Sequence, residues 1–163
     1  MIIIIFRDAR PDESNKLTQL SLASKAYWGY PKDWIALWTE ELTITPNYIK
    51  KNMVVVAEEN TELLGYISII EDTLQKKMSI ENISRGFFLD YMFIHPSHIK
   101  KGIGKKLFEI ATHWCRERQI KQLYIDSDPN AKEFYEKMGA VSIGEISSDK
   151  IEGRTRPILL LVL

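Results

Sequence analysis

The chain has a single cysteine, Cys115, among 163 residues, so it cannot close an intrachain disulfide. It has no surplus of charge either: 22 Lys and Arg stand against 22 Asp and Glu. A balanced field offers no strong pull on nucleic acid or an anionic membrane, so neither is expected as a partner and any anion site must be local. Long apolar runs are missing as well. The opening Met1-Ile2-Ile3-Ile4-Ile5-Phe6-Arg7 falls far short of the roughly 20 residues needed to cross a bilayer. It also lacks the basic leader and small-residue cleavage site of a secretory signal, so a cytoplasmic location is expected. No His, Cys, Asp or Glu group has metal-ligand spacing, and Cys115 falls on the apolar side of its helix near Ile110 and Trp114; no metal and no thiol nucleophile are expected. Repeats and linkers are also absent, and a length within the range of one core predicts a single domain over 1–163.

What is present is a mixed α and β pattern. Ile2–Phe6 reads as a strand and Asn15–Ala26 as a helix, followed by a second helical stretch from Asp33 to Glu41. Met53–Glu58 and Leu63–Glu71 are β-rich runs joined by a polar turn of hairpin length. The segment from Asp72 to Arg85 has no pattern, whereas Gly86–Ile94 is apolar throughout, as a central strand would be. A helix follows Gly104, then a strand at Gln122–Asp126, a short helix at Asn130–Met138, and closing strands at Ala140–Gly144 and Ile158–Leu163. Strand, crossover helix and strand imply a parallel pair at the middle of a mostly antiparallel sheet flanked by helices. If Ile158–Leu163 lies at an edge, it offers a pairing surface for a homodimer.

Gly102 and Gly104 stand between a strand and a helix, where free backbone N–H groups converge on one spot outside the sheet. A side chain at either glycine would hold an anion away from those amides, and Lys100, Lys101, Lys105 and Lys106 add positive charge. A pyrophosphate fits such a place. A Walker loop does not fit, because Lys106 follows Gly104-Lys105 where Ser or Thr is required. A dinucleotide fingerprint does not fit either, because Leu107 occupies the third glycine position.

The run Ile94-His95-Pro96-Ser97-His98-Ile99-Lys100-Lys101-Gly102-Ile103-Gly104-Lys105-Lys106-Leu107 resembles the acyl-CoA-binding motif of GNAT-superfamily N-acetyltransferases. It departs from that motif at Ile99, where Arg or Gln is usual. Downstream, Asp128-Pro129-Asn130-Ala131-Lys132-Glu133-Phe134-Tyr135-Glu136-Lys137-Met138-Gly139-Ala140 looks like the family's other CoA-side motif. The resemblance covers about a third of the chain and implies a GNAT-like fold with acetyl-CoA as co-substrate. It implies that Ile99, Lys100, Lys101, Gly102, Ile103, Gly104 and Lys105 hold the pyrophosphate. Backbone amides of Met92, Phe93 and Ile94 would serve the pantetheine and the thioester carbonyl, with Asn130 and Phe134 also on the CoA side. Tyr135 would protonate the departing thiolate.

Acetyl transfer also needs a neutral amine, and Asp90 or Glu71, on or near strands, are the carboxylates that desolvation could tune as a base; a water chain is the alternative. Asn130 is an equally good helix cap for a helix starting at Ala131. The aromatics Tyr27, Trp28, Tyr30, Trp34 and Trp38 either wall an acceptor pocket or pack the core. The function expected is transfer of acetyl from acetyl-CoA to a primary amine of a small molecule or peptide in a ternary complex. The alternative is a catalytically silent acyl-CoA-binding module.

Overall fold

Seven strands form one sheet in the computed structural model, which describes residues 3–72 and 86–163. They are β1 (Ile5–Asp8), β2 (Met53–Glu59), β3 (Glu62–Asp72), β4 (Gly86–Ile94), β5 (Gln122–Asp126), β6 (Val141–Ser147) and β7 (Thr155–Val162). Their order is β1-β2-β3-β4-β5-β7-β6. The β4/β5 pair is parallel, whereas β1/β2, β5/β7 and β6/β7 are antiparallel. The mixed sheet with a parallel pair inside it is therefore the architecture the sequence implies, and the apolar run of β4 does occupy the middle strand. The patternless segment before it lies outside the described residues from 73 to 85.

Two corrections concern strand position. The first strand runs Ile5–Asp8, later than its β-branched residues suggest, because its ladder pairs Ile5 with Glu58 through Asp8 with Val55. Ile3 and Ile5 are left exposed. The closing strand β7 is not an edge: it is hydrogen-bonded to β5 on one side and β6 on the other. With both sides of its backbone engaged, it has no ladder to offer a second copy, and the sheet's edges are β1 and β6.

Contacts group the chain into two compact units, Met1–Ser68 with Tyr91–Ile110, and Ile69–Asp90 with Ala111–Leu163. The first holds helices α1 (Ser14–Tyr27), α2 (Lys32–Leu42) and α3 (Pro46–Lys51). Its core gathers Leu17, Leu20, Ile44, Ile49, Val54, Val56 and Tyr66. Thr45 caps α3 by accepting the Tyr48 N–H, and Pro46 at the first helical position loses nothing because that N–H would have no partner. The β2–β3 turn has two residues, Asn60 and Thr61, at φ 49° and 68°. Paired positive φ values match the twist of the hairpin they join. Arg7 stitches β1 to its neighbours, bonding Glu58 at 2.8 Å and Glu13 at 2.6 Å. Burial alone would push the Glu13 carboxyl up, but the Arg7 side chain and the Arg10 N–H outweigh it and hold it below the usual carboxylate range.

The second unit holds β5, β6, β7 and a short helix α5 (Lys132–Lys137), with Phe88 tilted against Tyr124 in its interior. The preceding helix, α4 (Ile103–Glu117), buries Ile103, Leu107, Phe108, Ala111, Thr112 and Cys115, one stripe at helical spacing. Burial pushes the Cys115 thiol up to about 11, which keeps it an unreactive thiol.

Candidate functional site

The glycine loop of the first unit has the geometry an anion requires. Lys100 and Gly102 both sit at positive φ, 65° and 81°, which turns the chain sharply between the short turn at Pro96–His98 and α4. The Gly102 carbonyl accepts the Lys106 N–H at 3.1 Å, so the helix starts there. Ile103, Gly104 and Lys105 then form its first turn, whose N–H groups no intrahelical carbonyl can reach. A Cβ added at Gly102 would meet nothing within 4 Å, so it is the backbone angle that favours glycine there. Lys100, Lys101 and Lys105 are exposed around it, and Ile99 is half-buried.

Immediately upstream, β4 presents amides in alternation. His95 N donates to Leu64 O at 2.7 Å, and Tyr91 N donates to Ser68 Oγ at 3.2 Å. Since successive N–H groups of a strand point to opposite edges, the Phe93 N–H also faces β3, and those of Met92 and Ile94 face away from it. The parallel ladder covers only Phe87, Phe88 and Leu89, while β4 runs on to Ile94. Gly65 is part of this arrangement: a Cβ there would lie 2.9 Å from the Phe93 carbonyl, so only glycine lets β3 run this close.

Above β4 lies a polar and aromatic network that the sequence reading missed. Ser68, fully buried, bonds the Tyr48 hydroxyl at 2.8 Å as well as the Tyr91 amide. The Tyr91 hydroxyl donates to the Glu41 carbonyl at 2.6 Å and ties the end of α2 to the strand. A lone serine inside the apolar run of β3 was the available signal, since a buried hydroxyl demands partners. The aromatic group divides: Tyr27 and Trp28 are exposed, whereas Trp38 is buried and Tyr30 and Trp34 are half-buried against it.

In the second unit the turn before α5 is capped by Asp128, not by Asn130. The Asp128 Oδ1 accepts the Asn130 N–H at 2.9 Å and its side-chain Nδ2 at 3.0 Å. Pro129 at the first position of the turn, a place where proline is favoured, marks the residue before it as the cap. Asp128 also meets Arg154 at 3.5 Å, with both side chains nearly buried. Next on this chain segment, Phe134 is half-buried and packs edge-on against Tyr135, which is 3% exposed. Burial, assisted by the Asp128 charge, pushes the Tyr135 phenol well above its ordinary range, so it stays protonated at neutral pH.

The base candidates separate. Asp90 is half-buried, one residue past the last paired position of the parallel ladder. Glu71 is exposed near the end of β3. Among the described residues no group of three His, Cys, Asp or Glu could hold a metal ion, and no helix is long and apolar enough to cross a membrane.

Comparison with known proteins gives a consistent picture. The family description "Acetyltransferase (GNAT) domain" matches residues 36–150. The peptidyl-lysine N-acetyltransferase YiaC of Escherichia coli K12 is 27% identical over 139 residues, 83% of this chain and 82% of that protein. Among solved structures, a GCN5-related N-acetyltransferase from Rhodopseudomonas palustris has a TM-score of 0.77 at 16% identity, over 98% of this chain and 95% of its own. The PaiA N-acetyltransferase of Thermoplasma acidophilum, solved with coenzyme A, has a TM-score of 0.73 at 16% identity over 99% of both chains. The structural likenesses speak to the fold.

Proposed function

The chain belongs to the GNAT acetyltransferase family, and we propose that it transfers the acetyl group of acetyl-CoA to a primary amine of a small molecule or peptide, by direct attack in a ternary complex. The observation that carries this reading is the sharp turn at Lys100 and Gly102 that opens the first turn of α4 beside the outward amides of β4. The α4 amides and loop lysines bind the pyrophosphate; the Met92 and Ile94 N–H groups bind the pantetheine and stabilise the thioester oxygen as it gains charge. Phe93 contributes its ring rather than its amide. The likeness to a peptidyl-lysine N-acetyltransferase supports an amine as acceptor.

In the reaction the amine, once neutral, attacks the carbonyl carbon; a C–N bond forms and the C–S bond breaks. The amine gives its proton to water or Asp90, and the departing thiolate takes one from Tyr135, whose raised phenol holds it through neutral pH. Asn130, whose Nδ2 donates to Asp128, is the pantetheine's partner from this turn.

The test is release of free thiol from acetyl-CoA across polyamines, amino acids, aminoglycosides and peptides. Amine-dependent release with a matching acetylated product is expected. If calorimetry finds acetyl-CoA bound and no amine accelerates thiol release, the amine-transfer reading is overturned in favour of a silent acyl-CoA-binding module.

A further inference from the structure

Within the first unit, Lys25 on the last turn of α1 extends its ammonium into a ring of aromatic faces. Its Nζ lies 5.1 Å from the centroid of Trp38, 5.5 Å from Tyr30 and 6.0 Å from Phe93. The walls brace one another. Tyr30 meets Trp38 edge-on at 5.1 Å and stacks on Trp34 at 6.1 Å, and Trp34 meets Trp38 at 6.0 Å. Phe93 is held from behind, stacked on Tyr91 at 5.8 Å and tilted against Tyr66 at 6.0 Å. Several ring faces around one point attract an alkylammonium through their quadrupoles.

Two features make this more than core packing. The box already holds a primary alkylammonium, the Lys25 side chain, among its ring faces. One wall, Phe93, belongs to the stretch of β4 whose neighbouring amides, Met92 and Ile94, are those assigned to the thioester. An amine seated in the box would therefore lie beside the strand where it must react.

We propose that the box of Tyr30, Trp38 and Phe93 is the subsite for the acceptor's alkylammonium group, and that Lys25 is its resident placeholder, displaced when the acceptor enters. The identity of the ligand as acceptor rests on the transferase reading; the binding of a cation by the box does not. Two like charges cannot share one box, so Lys25 and an incoming ammonium exclude each other, and the resident sets how strongly an acceptor must bind. Only the neutral form of the seated amine attacks, so the box selects the amine and its proton leaves afterwards.

The probe is n-butylammonium, titrated without acetyl-CoA and followed by quenching of tryptophan fluorescence. Lys25→Met keeps the side chain's length and removes its charge; it is expected to tighten n-butylammonium binding by about 10-fold. Adding Tyr30→Leu, at a half-buried wall, should reverse the gain while thermal melting shows the fold retained. Unchanged or weaker binding in Lys25→Met overturns the proposal, as does an acetyl group mapped to Lys25 as the main product of turnover. Thiol release separates the two readings. If Lys25→Met binds the amine more tightly and no amine is acetylated, the box stands and the transferase reading falls. If acetylation proceeds and Lys25→Met leaves the amine's Kd and KM unchanged, the transferase reading stands and the box falls.

Discussion

The turn that starts α4 and the turn that starts α5 use the same ingredients in opposite ways. At Lys100 and Gly102 the chain takes two positive φ angles and leaves the first helical N–H groups directed outward, with lysines around them. At Asp128 a carboxylate turns back on the chain, accepts the N–H and the side-chain amide of Asn130, and meets Arg154. In the proposed reading the first turn offers its donors to a ligand, whereas in the second the Asn130 N–H is taken up by the Asp128 carboxylate. A helix start becomes an anion site only when the sequence supplies no internal acceptor. The short helix that follows the second turn carries the buried side chain of Tyr135.

The sharpest way to sharpen this contrast is Tyr135→Phe. If the second turn exists to place a proton donor, removing the hydroxyl should lower kcat by roughly 10²–10⁴-fold and leave CoA affinity by calorimetry nearly unchanged. The sign of the pH dependence follows from the raised phenol. The group donates only while protonated, and burial lifts it above its ordinary value of about 10, so the alkaline fall of kcat lies above that value in the parent protein. An unchanged kcat in the variant would remove Tyr135 from the chemistry.

The complementary change belongs to the first turn. Gly102→Val forces a β-branched residue to a φ of 81°, costing about 1–3 kcal/mol in whichever state retains the turn. Calorimetry with CoA should show affinity weakened by roughly 10–100-fold, with kcat at saturating acetyl-CoA much less affected. Equal loss in both parameters would mean that the loop also orders the reacting groups.

The parts legible in the sequence were those in which a few neighbouring residues decide the structure. Gly102 and Gly104 before an apolar stripe at Ile103, Leu107 and Ala111 are enough to announce a loop and a helix, and the crossover between β4 and β5 follows from element order. The Asp128-Pro129-Asn130 turn was half legible: both Asp and Asn are good caps, and Pro129 is the residue that decides for Asp128. Lys25 was not legible, because its box is assembled from the α1–α2 connection, α2 and β4, the last of them distant in the chain. Exposure of Glu71 escaped for a similar reason: a strand end is buried or open according to what the rest of the fold lays over it.

The smallest expected effect tests whether the Asp128 carboxylate only positions its neighbours. Asp128→Asn keeps an oxygen that can accept from Asn130 and removes the charge that faces Arg154 across 3.5 Å. Because both side chains are nearly buried, the loss should cost about 1–2 kcal/mol in a urea unfolding curve, less than for a tighter pair fully cut off from water. CoA affinity should stay unchanged. Since the Asp128 charge is the lesser cause of the raised Tyr135 phenol, the alkaline limb of kcat should retreat only part of the way toward its ordinary position, with burial holding the remainder. If Asp128→Asn instead weakened CoA and left stability intact, the Asp128 carboxylate would itself serve the ligand, and its reading as a purely positioning group would fail.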